Sequence, residues 1–176
     1  MVEALAERLA AGIKRANPEQ TVSIPVMKFA LIIVINFMIP AMASLAVAAW
    51  TGKGLETLTA MGVLVALRML SGGYHFEKPI PCMLMTFAII AVPPHVELSE
   101  RWTVLLTALS LILVILLAPS NMKGYNTIPE NYYPLLKAAS SIIVCGNFLF
   151  LSGTAAIVLA VQGITLLFRN KEVNTK

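Results

Sequence analysis

The chain has 176 residues, 58% of them hydrophobic and only 12% charged, and its mean hydropathy is +0.81. A soluble domain carries about 25% charged residues, so this sequence lacks the polar surface to cover a water-exposed core, and most of its apolar surface must face lipid. The net charge is +4, but the basic residues stand singly between apolar runs. There they set membrane orientation, and no nucleic-acid partner is expected.

Scarcity of reactive side chains excludes more. There is no Asp, and the chain holds two His (His75, His95) and two Cys (Cys82, Cys145). A structural zinc site needs four ligands and a catalytic one three, so neither a metal nor another cofactor is called for. Two Cys so far apart in sequence build no disulfide framework. The first long apolar run opens near Val26 behind a charged stretch, so no cleavable signal peptide is expected.

Residues 2–15 place Val2, Leu5, Leu9 and Ile13 on one stripe, with Glu3, Glu7, Arg8, Lys14 and Arg15 mostly off it. This spacing predicts an amphipathic helix in the membrane interface, or a soluble helix packed on inner loops. Asn17-Pro18 ends it. Phe29–Trp50 is the first uncharged run long enough to cross a bilayer core of about 30 Å. Pro40 inside it is the kind of break that membrane helices tolerate. Further apolar runs follow at Leu55–Leu70, with Arg68 near the inner end, at Cys82–Val92, closed by Pro93-Pro94, and at Thr103–Ala118. The last two are Leu135–Leu151 and Thr154–Phe168, joined at Ser152-Gly153. The Cys82–Val92 run is short for a full crossing, which leaves a partly re-entrant segment open as a reading. Asn36 and Asn147 are polar groups within spans, suited to bridging helices.

Six spans put both termini on one side. On that side fall Arg8, Lys14, Arg15, Lys28, Arg68, Lys78, Lys123, Lys137, Arg169, Lys171 and Lys176, against Lys53 and Arg101 on the other. This bias predicts cytoplasmic termini. Trp50 and Trp102 then fall at the outer interface, and Tyr74, Tyr125, Tyr132 and Tyr133 at the inner one. The expected fold is therefore all-α: an N-terminal amphipathic interfacial helix (1–20), a polytopic bundle of about six transmembrane helices (26–168) and a cytoplasmic tail (169–176), forming a single integral membrane domain over 1–176.

The inner loop between spans two and three carries the candidate chemistry, from Arg68 through Gly72-Gly73-Tyr74-His75 and Glu77 to Cys82. A thiol becomes a useful nucleophile when ionised by a nearby imidazole or a helix N-terminus. Pro81 suits a first helical position, which would set Cys82 in the first turn of span three, where the helix dipole favours a thiolate. His75 is the nearby base suited to neutral pH. On one continuous helix, residues seven apart lie about 10 Å from each other along the axis, beyond hydrogen-bond reach. Pro79 and Pro81 forbid that helix and Gly72-Gly73 allow a sharp turn, so a folded-back loop is required. On spacing alone the blander readings prevail, Cys82 as an apolar filler and His75 as a hydrogen-bonded surface group.

The stretch Arg68…Gly72-Gly73-Tyr74-His75…Cys82 resembles the signature of the accessory gene regulator B (AgrB) family of membrane peptidases. The resemblance extends over most of the chain, through the basic amphipathic N-terminus, the six spans and the Ala118-Pro119-Ser120-Asn121 run that opens a polar inner loop. It implies a cysteine endopeptidase of the bacterial cell membrane that cuts an AgrD-type propeptide on the cytoplasmic face. Cys82 would be the nucleophile and His75 its general base. The acyl-enzyme thioester would then close to a thiolactone or lactone, the precursor of a quorum-sensing pheromone. By the same resemblance Arg68 binds a substrate carboxylate or orients the loop, against ordinary snorkelling. Gly72 and Gly73 turn the loop or offer N–H groups to an oxyanion. Glu77 orients His75 or is a plain exposed carboxylate, and Lys123 and Lys137 attract an acidic propeptide tail or merely obey the charge bias. Cys145 reads as a packed apolar residue, and His95, on the opposite side, as catalytically irrelevant. A homodimer is a further expectation, because a small bundle with short spans benefits from a partner that shelters the site. The rival classes are a membrane peptide transporter and a noncatalytic membrane scaffold.

Overall fold

The computed structural model describes residues 2–74, 76, 78–122 and 128–168. His75, Glu77, Lys123 and the tail from Arg169 onward lie outside the described residues. Among the described residues seven α-helices follow one another: α1 (Val2–Ala16), α2 (Ile24–Thr51), α3 (Gly54–Ser71), α4 (Pro79–Ala91), α5 (Glu100–Leu117), α6 (Tyr133–Phe150) and α7 (Gly153–Thr165). Short 3₁₀ turns lie at Pro93–His95 and Glu130–Tyr132. The described residues contain no strand, and the isolated bridge between Gly72 and Ser120 is their one extended pairing.

This is the all-α architecture that the apolar runs predict, with an amphipathic helix ahead of six apolar ones. Four segments are long and apolar enough to cross a bilayer: α2, α3, α5 and the run Glu130–Phe150 that contains α6. Their 18 residues or more give about 27 Å or more at 1.5 Å per residue, close to the hydrocarbon thickness. α4 and α7 have 13 residues each, about 20 Å. Pro40 sits inside α2 without ending it, as the sequence predicts. α4 opens at Pro79 rather than Pro81. The first-turn N–H groups of a helix have no intrahelical partner, so both prolines fit there without loss of a hydrogen bond.

The chain forms two compact units, one of residues 1–43 and 76–87 and the other of residues 44–75 and 88–176. In the first, α1 leaves Leu5, Leu9 and Ile13 exposed while Ala6 and Ala10 are buried. That exposed stripe is the surface a lipid interface would cover. Lys14 Nζ donates to the carbonyls of Pro18 (2.8 Å) and Thr21 (2.7 Å), which tightens the turn after α1. Glu7 pairs with Lys28 of α2 at 2.9 Å.

In the second unit α7 is the central element, packed against α5 and α3, while α6 lies on both α5 and α3. Nine of its thirteen residues are buried, so α7 is enclosed by protein and its length need not match the lipid. Small residues make this possible: Ala155, Ala156 and Gly163 are buried on it, and a Cβ on Gly163 would sit 3.1 Å from Leu113 Cδ1. Close backbone approach of this kind is how membrane helices gain packing energy when lipid removes the hydrophobic drive. Leu67, Val114, Val144, Leu159 and Leu166 form one apolar cluster, and Ala60, Leu64, Ile89, Ile90 and Val158 another.

Of the two polar residues expected to bridge helices, Asn147 does so, donating to Thr107 Oγ1 of α5 at 2.9 Å. Asn36 Oδ1 accepts no hydrogen bond from the described residues. Cys145 departs from its expected packing: it is exposed on α6. The inward stripe of α6 is Ser140, Val144 and Asn147, and the residue after Val144 points about 100° away from it at 3.6 residues per turn.

Candidate active site

The second unit holds a turn built from the motif residues. α3 closes with Ser71, a buried hydroxyl that donates to Leu67 O at 2.7 Å. Gly72 follows at φ 72°, ψ −135°, and Gly73 at φ 126°, backbone that a side chain resists. Packing reinforces the choice of glycine. A Cβ on Gly72 would lie 2.0 Å from Ser120 O, and one on Gly73 would lie 2.7 Å from Thr165 Oγ1.

Two other segments clamp this turn. The first is the Ala-Pro run after α5, where the Ala118–Pro119 peptide is cis. Ser120 N–H donates to Ser71 O (2.9 Å), and Gly73 N–H donates to Ser120 O (3.1 Å). The second is the end of α7, whose last carbonyls lack helical partners. Tyr74 N–H donates to Thr165 O at 3.2 Å, Ser120 Oγ to Leu166 O at 3.4 Å, and Asn121 Nδ2 to Phe168 O at 2.8 Å. The Tyr74 ring meets Phe168 edge-on, with centroids 6.1 Å apart. The motif turn thus satisfies the last carbonyl of α7, and the Ala-Pro run satisfies carbonyls just beyond it, which non-helical backbone near a membrane requires.

Arg68 and Gln162 complete the cluster. Arg68, half-buried in the last turn of α3, sits where its charge complements the helix dipole. One arm of its guanidinium donates to Tyr74 O and the other reaches Gln162 Oε1 at 3.5 Å. Gln162, wholly buried on α7, donates through Nε2 to Gly72 O (2.7 Å) and Ser71 Oγ (3.4 Å). Arg68, Gly72 and Gly73 are therefore brought together, and Arg68 contacts its own loop. The Gly73 N–H donates to Ser120 O in this arrangement.

In the first unit, Cys82 is the fourth residue of α4, half-buried and free of any disulfide. Its carbonyl accepts from Thr86 Oγ1 at 2.9 Å. α3 closes at Ser71 and α4 opens at Pro79, so no single helix runs from Arg68 to Cys82, as the two prolines predict. Lys137 lies half-buried on α6 and His95 is exposed in its 3₁₀ turn. Gln162 and Thr165 are the contributors that sequence reasoning misses, while Ser120 stands in the Ala-Pro run it singles out. For Gln162 the available signal is a lone amide in an apolar run, the kind of residue that seldom sits in a membrane helix without a polar partner.

The chain is similar over residues 4–168 to the family model described as Accessory gene regulator B. It is also 25% identical over 166 residues to a protein named as AgrB-like from Halalkalibacterium halodurans, covering 94% of this chain and 82% of that one. No solved structure matches it. The family match runs from the amphipathic helix to the last carbonyls of α7 and takes in every segment of the clamped turn. The chain therefore belongs to the Accessory gene regulator B family, membrane proteins of accessory gene regulator quorum sensing.

Proposed function

We propose that this protein is a membrane cysteine endopeptidase that removes the C-terminal tail of an AgrD-type propeptide at the cytoplasmic face and promotes closure of a thiolactone or lactone ring. The observation that carries the reading is the clamped turn at Gly72–Tyr74, which immediately precedes His75 in the chain. Satisfied backbone groups are what any non-helical segment near a membrane requires. A loop that must hold an imidazole for proton transfer needs a fixed position as well, since a displacement of about 1 Å can cost on the order of 100-fold in rate.

In this reading the Cys82 sulfur attacks the scissile carbonyl carbon while His75 takes the thiol proton. His75 then protonates the departing amine of the tail, which leaves a thioester on Cys82. A thiol or hydroxyl of the propeptide attacks that thioester, closes the ring and returns Cys82 as a thiol. One activated ester replaces another, so the site works best with water excluded. Arg68 is assigned to orienting the loop, because its guanidinium spans Tyr74 O and Gln162. Lys123 and Lys137 are assigned to attracting the acidic tail, and the charge bias sets the termini and the site on the cytoplasmic side.

The test is reconstitution in lipid with a cognate propeptide, comparing wild type, Cys82→Ala and His75→Ala by mass spectrometry. Loss of cleavage in both variants, with a wild-type product one water lighter than the linear fragment, is the expected result. Cleavage that survives Cys82→Ala would discard the mechanism and favour a transporter or scaffold.

A further inference from the structure

We infer that Gln162 is a positioning residue for the general base, an inference that rests on the peptidase reading above. The amide is 0% exposed, so no propeptide can touch it in this arrangement. It nevertheless joins three groups lying 90 to 94 residues away in the chain: Arg68, Ser71 and Gly72. The orientation of the amide follows from chemistry. A carbonyl only accepts, so the nitrogen faces Gly72 O, and a guanidinium only donates, so the oxygen faces Arg68.

The consequence passes through the backbone in two steps. Gln162 Nε2 holds the Gly72 carbonyl at 2.7 Å, which fixes the peptide plane between the two glycines. Glycine residues at positive φ have no side chain to do that, so the restraint must come from outside the loop. Gln162 Oε1 accepts from one arm of Arg68 while the other arm donates to Tyr74 O. That carbonyl belongs to the peptide group whose nitrogen is His75's own. Gln162 thus steadies the turn at its start and, through Arg68, at the bond that leads into His75. Buried polar groups left without partners near a membrane are costly. Replacing the amide would therefore free the loop to seek other partners.

A residue that only stabilises the fold and one that positions the base make different predictions. In full-length protein in lipid nanodiscs, kcat and KM for the propeptide are measured together with the pH profile of Cys82 alkylation by iodoacetamide. Cys145, in the same chain, serves as internal reference. Iodoacetamide reacts with the thiolate, so assistance from an imidazole shows as a neutral-pH limb that His75→Ala removes. Gln162→Met, of similar length and apolar, should lower kcat on the order of 10- to 100-fold, shift KM by less than about threefold and lose most of the limb. Added to His75→Ala it should cost nothing more, as expected for residues acting through one group. Gln162→Glu keeps an acceptor for Arg68 but sets an acceptor against Gly72 O, and should fall in the same way; it carries the test if the methionine variant does not accumulate. Rescue is expected from Gln162→Asn only in part, because its amide is one methylene short. A variant with wild-type kcat and limb overturns the inference, as does a loss that multiplies in full with that of His75→Ala. If His75→Ala leaves Cys82 alkylation unchanged, the peptidase reading itself fails and takes this inference with it. If the His75 limb is present and Gln162 does not affect it, only the inference fails.

Discussion

At the start of α7, Asn147 Oδ1 accepts from Ser152 N–H at 3.1 Å, its Nδ2 donates to Thr107 Oγ1, and Ser152 Oγ caps Ala155 N–H at 3.2 Å. At the end of α7, Gln162 reaches Arg68, Ser71 and Gly72. Both ends spend amide groups in an apolar setting, but the first spends most of them on residues within five positions. That is what a tight turn between two consecutive helices requires, with Leu151 at φ 50° closing α6 and Ser152 opening α7. The second end instead ties down two non-helical segments that arrive from distant parts of the chain. One end is architecture that any tight turn between helices needs. The other holds still a loop that no helix contact would otherwise restrain.

Breaking the loop end should produce the largest effect. Gly72→Ala forces a Cβ to within 2.0 Å of Ser120 O at a backbone angle that costs about 1–3 kcal/mol for a non-glycine residue. The turn must move and the Gly72–Ser120 bridge must open. Propeptide processing should fall on the order of 100-fold while membrane insertion continues. Gly146→Ala on α6 is the matched control, since its Cβ meets nothing within 4 Å. It should process at the wild-type rate in the same mass-spectrometric assay. Equal activity of the two variants would erase the contrast between the ends.

The end at the α6–α7 turn should respond in stability rather than rate. Asn147→Leu leaves Ser152 N–H and Thr107 Oγ1 without this partner, a loss of about 1–3 kcal/mol. Thermal unfolding in detergent should show it, and processing per folded molecule should stay near wild type. A fall in kcat of the size expected for Gln162→Met would mean that both ends of α7 serve the site.

How much of this was legible in advance differs between the same two ends. Helices are written in apolar runs bounded by Pro, Gly and Asn, so all six apolar helices stand within a few residues of their predicted bounds. The turn at Ser152-Gly153 is a local signal, and Asn147 stands out as an amide inside a span. The motif glycines announce a turn, and the structure gives them positive φ. What clamps that turn is not legible, because Gln162 lies 90 residues from Gly72 and its lone amide announces a polar partner without saying which one. Ser120 stands in the Ala-Pro run, yet its pairing with Ser71 and Gly73 depends on the packing of α5 beside α7. Cys145 shows the same limit. A thiol in an apolar run reads as packed, and which face it occupies is decided by where Val144 and Asn147 point.

An exposed ion pair in the other unit sharpens the comparison, because it is a polar contact without burial. Glu7 of α1 and Lys28 of α2 meet at 2.9 Å with side chains 60% and 32% exposed. The hydrogen bond from Lys28, with the attraction of its charge, holds the Glu7 carboxyl below the ordinary carboxylate range. A carboxyl whose folded value is lowered favours the paired arrangement above its unfolded value, and that contribution disappears as pH falls through the folded value. The carboxyl is thus charged at neutral pH, and the small contribution of the pair is lost only under acid conditions. Water and salt screen such pairs strongly, so Glu7→Gln should leave unfolding and processing nearly unchanged at pH 7. The sensitive measurement is the carbon-13 shift of the Glu7 carboxyl during a pH titration in nanodiscs. Its midpoint should rise in Lys28→Gln, and equal midpoints would show that the pair does not form in lipid. A small response here beside a large one at Gly72 would show that burial and backbone reach, rather than polarity alone, give the end of α7 its weight.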